Sequence, residues 1–131
     1  MLLPLIMQAA AQIVTPPPVP ADWATLAPLP YIAPPQVTPA MEQFVAGEVA
    51  AKRCAGPKPV DGHYVMRVDI ATLIGRDGTV RKAMPRAIGC PTIEQYSAGL
   101  VIGFARGNLP ARGAGAGDQW YRATLVYDWG K

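Results

Sequence analysis

A single histidine, His63, and two cysteines, Cys54 and Cys90, are all the imidazole and thiol groups these 131 residues offer a metal. A structural zinc site wants four ligands and usually shows a Cys-x-x-Cys pair, so neither a metal nor a cofactor is expected. Charge is also scarce: 16% of the residues are charged and the net charge is +3. All twelve basic residues fall between Lys52 and Lys131 with acidic residues among them, and the first 51 residues carry only Asp22, Glu42 and Glu48. Phosphate-tracking proteins need basic runs, and their absence argues against nucleic acid as a partner. No stretch reaches the roughly 20 apolar residues that a membrane-crossing helix requires. Catalytic groups are equally thin. His63 near Asp61 could be oriented as a base, but no serine stands out as a nucleophile, so an enzyme is not expected.

Half of the residues are apolar, which suits one compact domain rather than a disordered chain. Residues 1–11 read as the remnant of an export signal. Leu2, Leu3, Leu5, Ile6 and Met7 form a short apolar run, and Ala9, Ala10 and Ala11 supply the small residues of a cleavage site. No basic residue precedes the run and Pro4 interrupts it, so either the true start lies upstream or the segment is an apolar tail. In an exported protein Cys54 and Cys90 would form one disulfide, whereas in a reducing compartment they would remain two buried thiols.

Residues 12–38 are a proline-rich linker. Proline fixes φ and removes the backbone donor, so this stretch favours an extended spacer of about 3 Å per residue. Trp23, Leu26, Leu29, Tyr31 and Ile32 are apolar enough that part of it could instead lie on the domain. The domain proper is residues 39–131. Thr38 as cap, Pro39 at the first helical position and Glu42 near the positive end of the dipole start a helix over 39–53, with Met41, Phe44, Val45 and Val49 on one side.

Tyr64, Met66, Val68, Ile70, Thr72 and Ile74 alternate with Val65, Arg67, Asp69, Ala71 and Leu73, which predicts a long strand whose first set faces a core. Gly75 to Gly78 is a turn. A second strand over 79–88 would put Val80, Met84 and Ile88 on one side, and Pro85 makes it an edge strand or breaks it. Pro91 and Glu94 open a second helix, with Ile93, Tyr96, Leu100, Val101 and Phe104 on one face. The glycine-rich loop 112–117 lacks the flanking strand and helix of a phosphate cradle. Residues 119–129 form the last strand, with Tyr121, Ala123, Leu125, Tyr127 and Trp129 facing inward. The order predicts an α+β fold: a three-stranded antiparallel sheet packed on one side by helices, α-β-β-α-β, with the last strand beside the first and an edge left open.

The strand and turn over 70–78 (IATLIGRDG), Val80, the Gly89-Cys90-Pro91 helix start, the helix ending at Phe104 with Leu109-Pro110-Ala111 after it, and the aromatic strand 120–129 resemble the C-terminal domain of the TonB family. The likeness covers residues 60–129, and the proline-rich segment ahead of it also suits that family. It implies a periplasmic domain whose last strand takes an extended segment of an outer-membrane receptor by strand addition. The partner-binding edge would then be Gln119, Trp120, Tyr121, Arg122, Ala123, Thr124, Leu125 and Val126. Residues 1–11 are too short for that family's membrane helix, so the chain would bind receptors or other periplasmic proteins without driving uptake itself.

Two alternatives stay open. One is a small exported structural or inhibitor-like module, stapled by Cys54 and Cys90, with an unrelated partner. The other is a homodimer paired through the same open edge. An uncovered edge would favour receptor-like binding, and an edge covered by the proline-rich segment would favour self-inhibition or a structural role.

Overall fold

The structure, a computed structural model, describes residues 16–113 and 115–131; the stretch read as a signal remnant, residues 1–11, lies outside the described residues. Five main elements follow a short 3-10 turn at Trp23–Thr25: α1 (Pro39–Ala50), β1 (His63–Ile74), β2 (Val80–Pro85), α2 (Pro91–Ala105) and β3 (Gln119–Gly130). The strands form one antiparallel sheet in the order β2-β1-β3, so the expected α+β architecture is the one observed.

Helix α1 starts as its sequence dictates. Thr38 Oγ1 accepts from the Met41 N–H at 3.3 Å, and Pro39 occupies the first turn. It ends three residues before the expected position 53. Arg53 N–H reaches Glu48 O at 3.2 Å and Lys52 N–H reaches Val49 O at 3.0 Å, with Lys52 left-handed at φ 57°. This is a Schellman stop with lysine where glycine is usual, and it turns Arg53 out of the helix. In α2, Cys90 holds the cap position but offers no side-chain bond, because its sulfur is bonded to Cys54. Glu94 Oε2 fills the gap, accepting from Cys90 N–H at 2.9 Å and Ile88 N–H at 3.2 Å.

The second strand departs from its expected face. It spans Val80–Pro85 rather than 79–88, and the register shifts between Leu73 and Ile74, leaving Arg81 without a direct partner. One extra residue reverses the alternation beyond it. Val80 and Ala83 therefore pack on the core, whereas Met84, expected beside Val80, is 40% exposed. Arg86 N–H donates to Asp69 O, which places Pro85, one residue earlier, with its nitrogen away from β1. The proline sits where an edge strand tolerates it.

Both helices cover one face of the sheet. Val45, Ile93, Val101 and Ala105 pack there against Met66, Val68, Ile70, Ala123, Leu125 and Tyr127. The described part of the proline-rich linker covers half of the other face, so it is not a spacer held clear of the domain. Leu26 and the partly buried Val19 and Trp23 close over Ala71, Leu73 and Trp120. That second, smaller core explains why β1 is buried on both faces from Ile70 to Ile74.

The Cys54–Cys90 disulfide ties the segment after α1 to the start of α2, with Cα atoms 4.9 Å apart and a sequence separation of 36. Replacing both cysteines by alanine is expected to cost about 3–4 kcal/mol, the loop-closure entropy of a crosslink of that span, as read by urea unfolding of the two proteins.

Inside the main core the Tyr127 phenol meets the Ser97 hydroxyl at 2.7 Å. Burial pushes the phenol from 10.0 up to about 12, with the Ser97 hydrogen bond pulling partly the other way. Above its ordinary value the unfolded chain loses this proton while the folded chain keeps it. Stability is therefore expected to fall between pH 10 and 12, by at most about 1.4 kcal/mol per pH unit. Tyr127→Phe flattens that decline when unfolding is measured across the same range. A weaker slope remains from Tyr31, whose phenol burial also raises.

Candidate functional site: the outer edge of the last strand

In an antiparallel ladder alternate residues turn their N–H and C=O toward the neighbouring strand, and the residues between them turn both groups away. In β3 the outward set is identified by Arg122. Its N–H donates to Ala27 O at 2.8 Å and its C=O accepts from Leu29 N–H at 2.9 Å, with Pro28 opposite it in a parallel bridge. The same parity aims the backbone groups of Thr124, Val126 and Asp128 outward. Asp128 N–H is met by Glu42 Oε2 of α1 at 3.1 Å. Between these two ends, Thr124 and Val126 have no main-chain partner on the outer side among the described residues.

The eight residues implied as a partner-binding strand occupy four different settings. Tyr121, Ala123 and Leu125 point into the main core, so their side chains serve packing. Trp120 points to the opposite face, 7% exposed, and its indole N–H donates to Pro17 O at 2.8 Å. Arg122 is half-buried and its guanidinium reaches Trp23 O at 3.4 Å. Gln119, Thr124 and Val126 are exposed. Only the last two combine exposed side chains with outward backbone groups free of the arm.

Around this window the open half of the second sheet face carries weakly coupled polar groups. Thr124 Oγ1 donates to Asp69 Oδ1 at 2.7 Å, and Arg67 Nε lies 3.3 Å from the same oxygen. His63 Nδ1 is 2.9 Å from Asp128 Oδ1, so the histidine pairs with Asp128 across the strands rather than with Asp61. Exposed pairs of this kind contribute little to stability. Val65 and Val126, each 49% exposed, add apolar surface beside them. Beyond Asp128 a shallow groove of about 360 Å³ runs between α1 and the end of β3, lined by Pro39, Glu42, Gln43, Ala46 and Trp129 among others. Among the described residues no three His, Cys, Asp or Glu side chains are grouped to hold a metal ion, and no helix is long and apolar enough to cross a membrane.

Three contributors to this region were not read from the sequence. Glu42 was assigned to the helix dipole, yet its carboxylate also serves the edge of β3. Arg112 opens the glycine-rich loop, and its guanidinium donates to Ile74 O at 3.2 Å, to Gln119 Oε1 at 2.8 Å and to Gly117 O, fixing where β3 begins. Asn108, just past the end of α2, binds Ala33 through both side-chain groups at 2.8 Å and anchors the arm. No local pattern signals the Glu42–Asp128, Arg112–Ile74 and Asn108–Ala33 contacts, since each joins residues far apart in the chain.

No family model, curated protein or solved structure matches the chain. The role of this edge is therefore read from its own geometry. Glu42→Ala removes the acceptor from Asp128 N–H, a charge-assisted bond, and amide exchange at Asp128 is expected to quicken about tenfold while Ile70 is unchanged, as hydrogen-exchange NMR reads directly.

Proposed function

We propose that the chain is an exported protein-binding module, similar in role to the C-terminal domain of TonB, that takes an extended segment of another protein along the outer edge of β3. The observation that carries this reading is the Thr124–Val126 window: exposed side chains and outward backbone groups at the centre of a strand whose two ends already hold partners. Main-chain hydrogen bonds to such an edge supply affinity without demanding particular side chains, and alternate side chains then tune choice. A segment running along the window continues into the groove between α1 and Trp129. The disulfide is compatible with an oxidising, exported setting, and the periplasm is the compartment this reading adopts. Outer-membrane receptor segments are the partner class the resemblance supplies; no enzymatic activity is part of the reading.

A second reading is favoured by the arm. Its pairing with Arg122 blunts the edge, as edge strands of monomeric proteins commonly are, and suits a disulfide-stapled structural or inhibitor-like module with an unrelated partner. The two readings separate in one experiment. The oxidised full chain, labelled with nitrogen-15, is titrated with peptides copied from the N-terminal segments of outer-membrane receptors of the same bacterium. Shifts concentrated at Thr124 and Val126, growing to saturation, are expected from strand addition. Absence of shifts with every peptide at millimolar concentration sinks it and leaves the second reading.

A further inference from the structure

The arm itself presents the chemistry that the β3 edge accepts. Ala27 O and Leu29 N–H make both main-chain bonds to Arg122, so Pro28 between them needs no donor of its own. In a parallel pairing the residue directly opposite leaves its own N–H and C=O unused, which is why a proline fits there. Leu26, 8% exposed, enters the small core with Trp120, and Leu29, 6% exposed, enters the main core beneath the helices. Two apolar side chains three residues apart thus straddle the edge of the sheet, one on each face.

The polar hold on this stretch is light. Among the described residues its hydrogen bonds to the rest of the domain are the two main-chain bonds, Trp120 indole to Pro17 O and Arg122 guanidinium to Trp23 O, and its apolar hold is Leu26, Leu29 and the partly buried Val19 and Trp23, with the Arg86 guanidinium 5.9 Å from the Trp23 ring. After Pro30 the chain is held separately, Ile32 N–H donating to Asn108 O at 2.7 Å and Ala33 bonded to the Asn108 side chain. That anchor leaves residues 17–29 able to lift away while the arm stays tethered. A segment tied to the sheet by two backbone bonds and a few apolar side chains opens at lower free energy than a strand bonded along its length.

We propose that residues 17–29 are a displaceable occupant of the β3 edge. The partner that replaces them is an extended segment of the same kind. It runs parallel to β3, carries apolar side chains at the positions of Leu26 and Leu29, and admits proline between them. This rests on the strand-addition reading above and adds to it both the kind of segment and the contact that must open first. In the closed state only the Thr124–Val126 window is offered; with the arm released the edge extends back through Arg122 to Trp120, and the pocket over Ala71 and Leu73 becomes available.

The test uses the full oxidised chain, its Leu26→Asp variant, and a free synthetic peptide of residues 19–32 as probe. Hydrogen exchange on the wild-type chain decides the first point without any variant: the Leu29 and Arg122 amides are expected to exchange together, about a hundredfold or more faster than Ile70 in the central strand. In Leu26→Asp the Ile70 amide keeps its protection, the two arm-bridge amides quicken by a further tenfold or so, and the free peptide shifts Arg122 and Trp120 at concentrations that leave the wild type unmoved. Exchange of Arg122 at the rate of Ile70 in the wild type would overturn the proposal, since the arm would then open only with the whole fold. Loss of Ile70 protection in the variant, or an opened arm that accepts no peptide, overturns it equally. Receptor peptides take no part in this measurement, so their failure to bind leaves the arm result standing, and a fixed arm leaves their binding at Thr124 and Val126 to be read independently.

Discussion

The central strand, His63–Ile74, is paired with β3 along its length and with β2 from Ile70 onward, where it is also buried on both faces. A small domain with two helices can cover only one face of its sheet, yet Ala71 and Leu73 alternate with Ile70, Thr72 and Ile74 and must also leave water. The proline-rich arm meets that need. It brings Leu26, Trp23 and Val19 over the second face, and in doing so passes across the outer edge of the neighbouring strand. Cover for the central strand and occupation of the edge are consequences of the same placement.

The two edges of the sheet are treated differently. The β2 edge is short, charged at Arg81 and Lys82, and ends on a proline whose missing donor faces outward. These features discourage pairing. Long and regular, the β3 edge is blocked, among the described residues, only at Arg122 by the arm and at Asp128 by the Glu42 carboxylate. The backbone between them keeps the geometry of a strand awaiting a neighbour. The proposed protein-binding role for this edge and the proposed gating role for the arm are compatible, because the contact that shields the edge has fewer backbone bonds than the ladder beneath it.

Much of the architecture was legible because local chemistry fixes it. Thr38-Pro39 and Pro91 start helices for reasons of capping and fixed φ. Gly78, at φ 80°, takes a turn conformation that other residues resist, and the alternation in residues 119–129 assigns the inward face of β3 correctly. Asp61-Gly62 also carried a readable signal: both have positive φ, and Val60 and His63 exchange main-chain bonds across them as a type I′ turn does. Met84 was misplaced because a one-residue register shift leaves no mark in hydrophobic pattern. The end of α1 was misplaced because lysine in the left-handed position is not a stop that composition announces.

What the sequence determined by itself is therefore the set of elements, their order and the inward face of each long strand, since these follow from periodicity and backbone preference over a few neighbouring residues. It also narrowed the cysteines to a single intramolecular pairing. What only the tertiary structure decided is where the proline-rich arm lies, and with it which part of the β3 edge stays open. That placement depends on contacts between Pro17 and Trp120, Ala27 and Arg122, and Ala33 and Asn108. Residues so far apart in the chain meet only after the sheet has formed, so no local pattern could have told of them.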